Sequence, residues 1–327
     1  MKSQIIGTGS FVPSNIVRNE DLTQFPASTL PLIAQKTGVL ERRHASPDET
    51  TSDLAREACS QCLHSADCSP DDIDGIILAT SSPDQPMPAT AAILQAKLRC
   101  HGAFAFDLDA VCTGAIFAIA VADSMLRAGY ANRLLVVAAE LYSRILNPRD
   151  FSTYPYFGDG AGALLMERTD RPTFPWIRDC VLNTDGRGSD LIKIAAGGSK
   201  LRVSAADLKQ TYFQMNGKAV FDFATERGPE VIGDLCQRCN LEKDELDKVF
   251  LHQANINIIT SIAAATAIPI EKFPVNLDRY GNTAAASTLI AYDEAYRERG
   301  VGTRRGHNLI VAFGGGLTWG GLVVAPP

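Results

Sequence analysis

"AFAFDLDAVCTGAIFAIAVADSMLRAGY", residues 103–130, decides the fold. Residues 103–110 alternate in polarity and predict a strand. Residues 114–130 are apolar almost all round and predict a helix buried at the centre of the molecule. Cys112 falls in the turn between them. A thiol in the first turn of a helix meets unpaired backbone N–H groups and the positive end of the helix dipole, which favour the thiolate and lower its pKa. Thr113 and Gly114 are small and leave room for a carbonyl to approach. Position alone does not separate a nucleophile from a packing thiol.

Working outward, residues 74–82 and 133–140 read as buried strands and residues 89–100 as a helix. Strands alternating with helices are the mark of an α/β protein. The second half repeats the plan: "LEKDELDKVFLHQAN" (241–255) echoes "CSPDDIDGIILATSS" (68–82), and "HNLIVAFGGG" (307–316) echoes "NRLLVVAAEL" (132–141). In each half the two strands lie about 60 residues apart. The repeat predicts a duplicated five-layer α/β/α/β/α fold. Residues 1–170 carry one half and residues 171–327 the other, with a site at strand ends where they meet.

Composition narrows the function classes. Of 327 residues, 46% are hydrophobic and 21% charged, and the net charge is −6. No Lys/Arg run stands out, so nucleic acid is not an expected partner. The apolar N-terminal stretch is too short for a signal peptide, and no membrane-length apolar window of about 18 residues is read, so a cytoplasmic protein is expected. Eight scattered cysteines point to reduced thiols. The spacings Cys59/Cys62 and Cys236/Cys239 are too far apart for a zinc ribbon and read as helix-face packing, so no metal is expected. "GTGS" (7–10) lacks the rest of a phosphate loop and reads as a strand-end turn. His44, His64, His101 and His307 lie in polar contexts and are expected at the surface. The glycines of "FGDGAGALLM" (157–166) are expected to serve packing beside the Cys112 helix.

Two further residues complete a constellation. His252 ends the buried strand in "VFLHQAN", where a polar side chain is costly without a partner. Asn282, after Gly281, reads by itself as a turn or cap residue. Cys…His…Asn in that chain order serves two enzyme classes. Papain-like proteases share the order and spacing, but Thr-Gly-Ala follows Cys112 here and the motif C-G-[SA]-C-[WY] is missing. The duplicated α/β plan does not suit them either.

The other class condenses thioesters. "AVCTGAIFAIAVADSMLRAG", "FGDGAGALLM", "MNGKAVFDFA", "FLHQANINII", "DRYGNTAAAS" and "VAFGGGLTWG" stand in order. Together with "IIGTGSFVPSNIVRNEDL" and "KTGVLERR", they resemble the β-ketoacyl-acyl carrier protein synthase III family of the thiolase-like superfamily, from residue 4 to about residue 324. A second thiolase cysteine near the C-terminus is missing, the last being Cys239. The resemblance implies acyl transfer to Cys112, with the backbone N–H groups of Cys112 and Gly315 as oxyanion hole. Decarboxylative Claisen condensation with a malonyl thioester would follow, helped by His252 and Asn282. It implies substrate contacts at Phe157, Gly217, Asn255 and Phe313, with Gly217 and Asn255 near a pantetheine arm. Met87 would cross a homodimer to line the partner's acyl pocket, and a longer or branched chain is the expectation there. No cofactor is implied beyond the coenzyme A or phosphopantetheine of the substrates.

Several positions depart from the family. Leu32 stands for an adenine-stacking tryptophan, while Lys36 and Phe151 stand for arginines. Basic positions for docking an acyl carrier protein read Asp222, Asn257, Ala264 and Ala265, with Lys218, Arg227 and Lys272 nearby. A specialised relative is expected. Acyl transfer to an alcohol, amine or thiol without condensation is the alternative, and a silent partner subunit a third reading.

Overall fold

The structure is a computed structural model, and it describes residues 1–297 and 306–327. Nine strands form the main sheet: β1 (Lys2–Phe11), β2 (Gly75–Ala79), β3 (Phe104–Leu108), β4 (Arg133–Glu140), β5 (Gly160–Thr169), β6 (Trp176–Thr184), β7 (Leu246–Leu251), β8 (His307–Gly314) and β9 (Thr318–Ala325). Their spatial order is β7-β8-β9-β6-β1-β5-β4-β2-β3. β1 and β6 are joined only through Gln4 opposite Trp176, so the sheet divides there into two halves. In the first, β2 runs parallel to β4, and β4–β5 and β5–β1 are antiparallel. In the second, β7 runs parallel to β8, and β8–β9 and β9–β6 are antiparallel. The two halves therefore share one connectivity, and the strands paired by the sequence echo, β2 with β7 and β4 with β8, hold equivalent places.

Six helices complete the layers: α1 (Thr51–Ser65), α2 (Thr90–Leu98), α3 (Gly114–Ala128), α4 (Gly217–Cys239), α5 (Ile256–Thr266) and α6 (Ser287–Arg297). Strand alternation explains their placement. On β2, Ile77 and Ala79 face a central core shared with α3 and α6, while Ile76 and Leu78 face an outer core with α1 and α2. On β8, Ile310 and Ala312 join the central core, while Leu309, Val311 and Phe313 join an outer core with α4 and α5. The result is five layers with α3 and α6 in the middle. A helix between two sheets needs apolar residues on every side, which is the pattern of α3. The helical stretch Val111–Ala128 is long and apolar enough, by length and composition, to cross a membrane, which corrects the expectation that none is. Here it is the helix between the sheets. Its one buried acid, Asp123, accepts from Ser3 Oγ and Arg127 Nε.

Two sequence readings change. "GTGS" lies inside β1 and is not a strand-end turn. A Cβ at Gly9 would lie 2.3 Å from the Ala58 carbonyl oxygen and 2.4 Å from Cys62 N, so the glycine admits α1. In "FGDGAG", a Cβ at Gly162 would lie 2.5 Å from Leu289 Cβ, so that glycine admits α6 rather than the Cys112 helix. All eight cysteines are free thiols, and Cys59 and Cys62 are fully buried on α1. Gly9→Ala forces the backbone of α1 away from the sheet. It should destabilise the protein by about 1–3 kcal/mol, the usual cost of overpacking, read as a lower urea midpoint.

Candidate active site

A short 3-10 turn, Val111–Thr113, carries Cys112 into α3. Val111 sits at φ +49°, a left-handed backbone that β-branched residues rarely adopt, with its N–H donated to Asp109 Oδ1 at 3.0 Å. Across from it, β8 ends at Gly314, where a Cβ would lie 2.9 Å from Cys112 N and 3.0 Å from Cys112 Cβ. The thiol does not have the lowered pKa expected from its helix terminus. Burial pushes it well above the ordinary cysteine value, and the nearby Glu140 adds to the rise. Glu140 is itself fully buried, and burial raises its pKa to about 8 against hydrogen bonds from Ser81 and Ser82.

His252 follows β7, its N–H donated to the Val311 carbonyl at 2.9 Å. Its Nδ1 lies 2.8 Å from Ser287 Oγ. That hydroxyl oxygen also accepts the Gln253 N–H at 3.3 Å, so the ring is fixed in orientation by a serine that is itself held. Burial lowers the His252 pKa to about 4, so the ring is neutral at physiological pH. Asn282 is held by main chain on both sides: its N–H donates to Tyr156 O at 2.8 Å, and Gly158 N–H donates to its carbonyl at 3.0 Å. Its Oδ1 accepts the Ala284 N–H at 2.9 Å, which leaves the Nδ2 hydrogens to donate. The turn reading of Asn282 is met through its Oδ1.

Cys112, His252 and Asn282 line one cavity of about 240 Å³. Phe157, Gly217, Asn255 and Phe313 line it too. Asn255 is heavily committed: its Oδ1 caps α5 through Asn257 N–H at 2.8 Å, and its Nδ2 donates to Lys36 O at 3.1 Å. Gly314 forms the wall beside Cys112. Gly315 is the next residue, buried with its Cα side toward Val111 and Ile192. Met87 lies outside this cavity and is 80% exposed. Sequence reasoning missed Ser287, Gly314, Phe213 and Tyr142. The glycine run at 314–316 was the signal for one of them, and nothing local marked the others. Phe157 stacks on Tyr142 at 5.0 Å and meets Phe213 edge-on at 5.2 Å, so the wall next to Cys112 is aromatic.

The departures are also placed. Lys36 lines the cavity, whereas Leu32 does not. Phe151 packs edge-on against Phe25 at 5.2 Å. The three cations near the depleted docking positions are each engaged. Lys218 pairs with Asp222 at 2.5 Å, Arg227 with Glu230 at 2.6 Å, and Lys272 donates to the carbonyls of Lys243, Asp244 and Leu246. His64 and His101 are exposed, but His44 is buried. His44 lies on the chain just after Arg42 and Arg43, beneath residues 154–159, where it meets the Tyr154 ring at 5.7 Å.

Fold and cavity together define a thiolase-like condensing enzyme, and comparison with known proteins gives the family. The family model described as 3-oxoacyl-[acyl-carrier-protein] synthase III matches residues 106–186, and the model for its C-terminal part matches residues 236–325. The β-ketoacyl-[acyl-carrier-protein] synthase III of Alkalilimnicola ehrlichii is 39% identical over 324 residues, covering 98% of each chain. The crystal structure of the Aquifex aeolicus VF5 synthase III is 36% identical, with TM-score 0.89 over 99% of both chains. That of Pseudomonas aeruginosa PAO1 is 32% identical, with TM-score 0.90 over 100% of this chain and 99% of the other. The chain belongs to the β-ketoacyl-acyl carrier protein synthase III family. It is an acyl-transferring condensing enzyme of that family.

The state of the thiol is testable without substrate. Iodoacetamide labelling of Cys112, followed by peptide mapping, should speed up about tenfold per pH unit from pH 6 to 9, since only the thiolate reacts. A plateau below pH 8 would mean that the helix terminus outweighs burial after all.

Proposed function

We propose that Cys112 takes an acyl group from a thioester and that His252 and Asn282 serve the condensation that follows. In the first half-reaction the Cys112 sulfur adds to the thioester carbonyl. The backbone N–H groups of Cys112 and Gly315 hold the oxyanion, and the carrier leaves as a thiol that takes up the cysteine proton. In the second, the bond from the malonyl α-carbon to its carboxylate breaks and CO₂ leaves. The electron pair spreads onto the thioester oxygen, where His252 Nε2–H and Asn282 Nδ2–H donate. The α-carbon then attacks the acyl carbonyl, and the Cys112 sulfur departs and regains a proton. Each step needs only a thiol and neutral donors, so no resident metal or redox cofactor is invoked. The observation that carries the reading is the convergence of one thiol and two oriented neutral donors on a single cavity.

Coenzyme A or phosphopantetheine thioesters suit the cavity, which reaches outward past Gly217 and Lys36. Acyl carrier protein remains a partner of this reading. Asp222, Asn257, Ala264 and Ala265 stand where the family is basic, so charge should steer its docking less than in such relatives and its use should depend less on salt. A cytoplasmic homodimer completes the proposal.

Intact-protein mass spectrometry tests it. A panel of acyl-CoAs and acyl-carrier proteins should leave an acyl mass on the wild type and none on Cys112→Ala. Malonyl donor should discharge the adduct with CO₂ release. Discharge by simple alcohols or amines without CO₂ would make the protein an acyltransferase, and no adduct from any donor would end the nucleophile reading.

A further inference from the structure

Arg42 has no exposed surface, and among the described residues no carboxylate makes an ion pair with it. Burial lowers its pKa to about 10. Its guanidinium instead ties together two stretches of chain, residues 17–19 and Pro155. Nη1 donates to Val17 O at 2.9 Å, and Nη2 donates to Asn19 Oδ1 at 2.5 Å and to Pro155 O at 2.6 Å. Nε has no partner. A buried charge is costly unless hydrogen bonds compensate it, and an apolar side chain of similar volume often packs as well. What only arginine offers is a planar fork that fixes several acceptors at set distances.

The stretch it fixes leads to the active site. Beyond Pro155, residues 156–158 cross residues 280–282 at close range. A Cβ at Gly158 would lie 2.1 Å from Tyr280 O, and one at Gly281, whose φ is +66°, 2.9 Å from Tyr156 O. Both would also meet Arg42 Cβ, at 3.3 and 3.2 Å. The arginine stem therefore sits against the crossing while its head holds one arm of it. At that crossing Asn282 exchanges both of its main-chain hydrogen bonds with Tyr156 and Gly158. The other two site residues hang elsewhere: Cys112 on the turn into α3, and His252 on β7 and Ser287.

We infer that Arg42 is a positioning residue for Asn282, and hence for the decarboxylating half of the reaction alone. The inference rests on the reading above that Asn282 serves decarboxylation. Displacing the 155–158 arm moves the Asn282 amide relative to the thioester oxygen, and a shift of about 1 Å can cost on the order of 10² in rate. Phe157 belongs to the same arm, but its ring is clamped by Tyr142 and Phe213 and not by the guanidinium, so the wall beside Cys112 has its own anchor while the main chain at 155–156 and 158 loses the Arg42 tie.

The test separates the half-reactions. Acylation is followed by intact mass with acetyl-CoA as acyl donor, and decarboxylation by CO₂ release from malonyl-CoA, in wild type, Arg42→Lys, Asn19→Ala and Asn282→Ala. Arg42→Lys keeps the charge and loses the fork. It should acylate within about 3-fold of wild type and release CO₂ at least about 30-fold more slowly. Asn19→Ala, which removes one acceptor and keeps the arginine, should show the same split at about 3-fold or more. It stands in if Arg42→Lys does not fold. A parallel fall in both half-reactions, or no change in either, overturns the inference. Asn282→Ala checks the reading beneath it: CO₂ release that survives in that variant ends the role of Asn282 itself, whatever the Arg42 variants do.

Discussion

The two halves of the molecule touch at Cys112 and Gly314 with no side chain between them. A single carbon added to Gly314 would lie 2.9 Å from the Cys112 amide nitrogen. The rest of the site depends on this approach. The Cys112 turn is the start of the central helix and Gly314 is the end of β8, so nucleophile and facing wall come from opposite halves of the duplication. Small residues recur around the junction for the same reason. A Cβ at Gly114 would lie 3.0 Å from Ala79 Cβ, and the fully buried Ala284 packs in one cluster with Cys112.

Such a junction is buried, and burial sets the protonation states. His252 is held neutral, and the Cys112 thiol and the Glu140 carboxyl are both pushed upward by burial. Away from water, neutral N–H donors act more strongly on a developing oxyanion than they would in solvent. The same burial disfavours the thiolate of Cys112 at rest.

Much of this was legible along the chain. The α/β repeat, the central helix, the strands at 75–79, 133–140, 246–251 and 307–314, and Cys112, His252 and Asn282 all carry local signals of period, apolar run or motif. What stayed hidden depends on partners far away in sequence. Ser287 looks like any helix-start serine until His252, 35 residues earlier, is placed against it. His44 reads as a surface residue until residues 154–159 fold over it. The raised thiol contradicts a sound local rule, because a helix terminus is visible in sequence and burial is not. Likewise, nothing near Lys272 in sequence marks the carbonyls of Lys243, Asp244 and Leu246, 26 to 29 residues earlier, to which it donates.

The central claim is a division of labour in one cavity: covalent chemistry on Cys112, and carbanion formation on His252 and Asn282. CO₂ release from malonyl-CoA by Cys112→Ala protein tests it most directly. The account predicts that release continues without the thiol, and that adding His252→Ala or Asn282→Ala to that variant lowers it by about 10²–10³, the usual loss for one oxyanion donor. If Cys112→Ala alone abolishes CO₂ release while the folded structure is intact, or if the added substitutions leave it unchanged, the two tasks are not divided in this way.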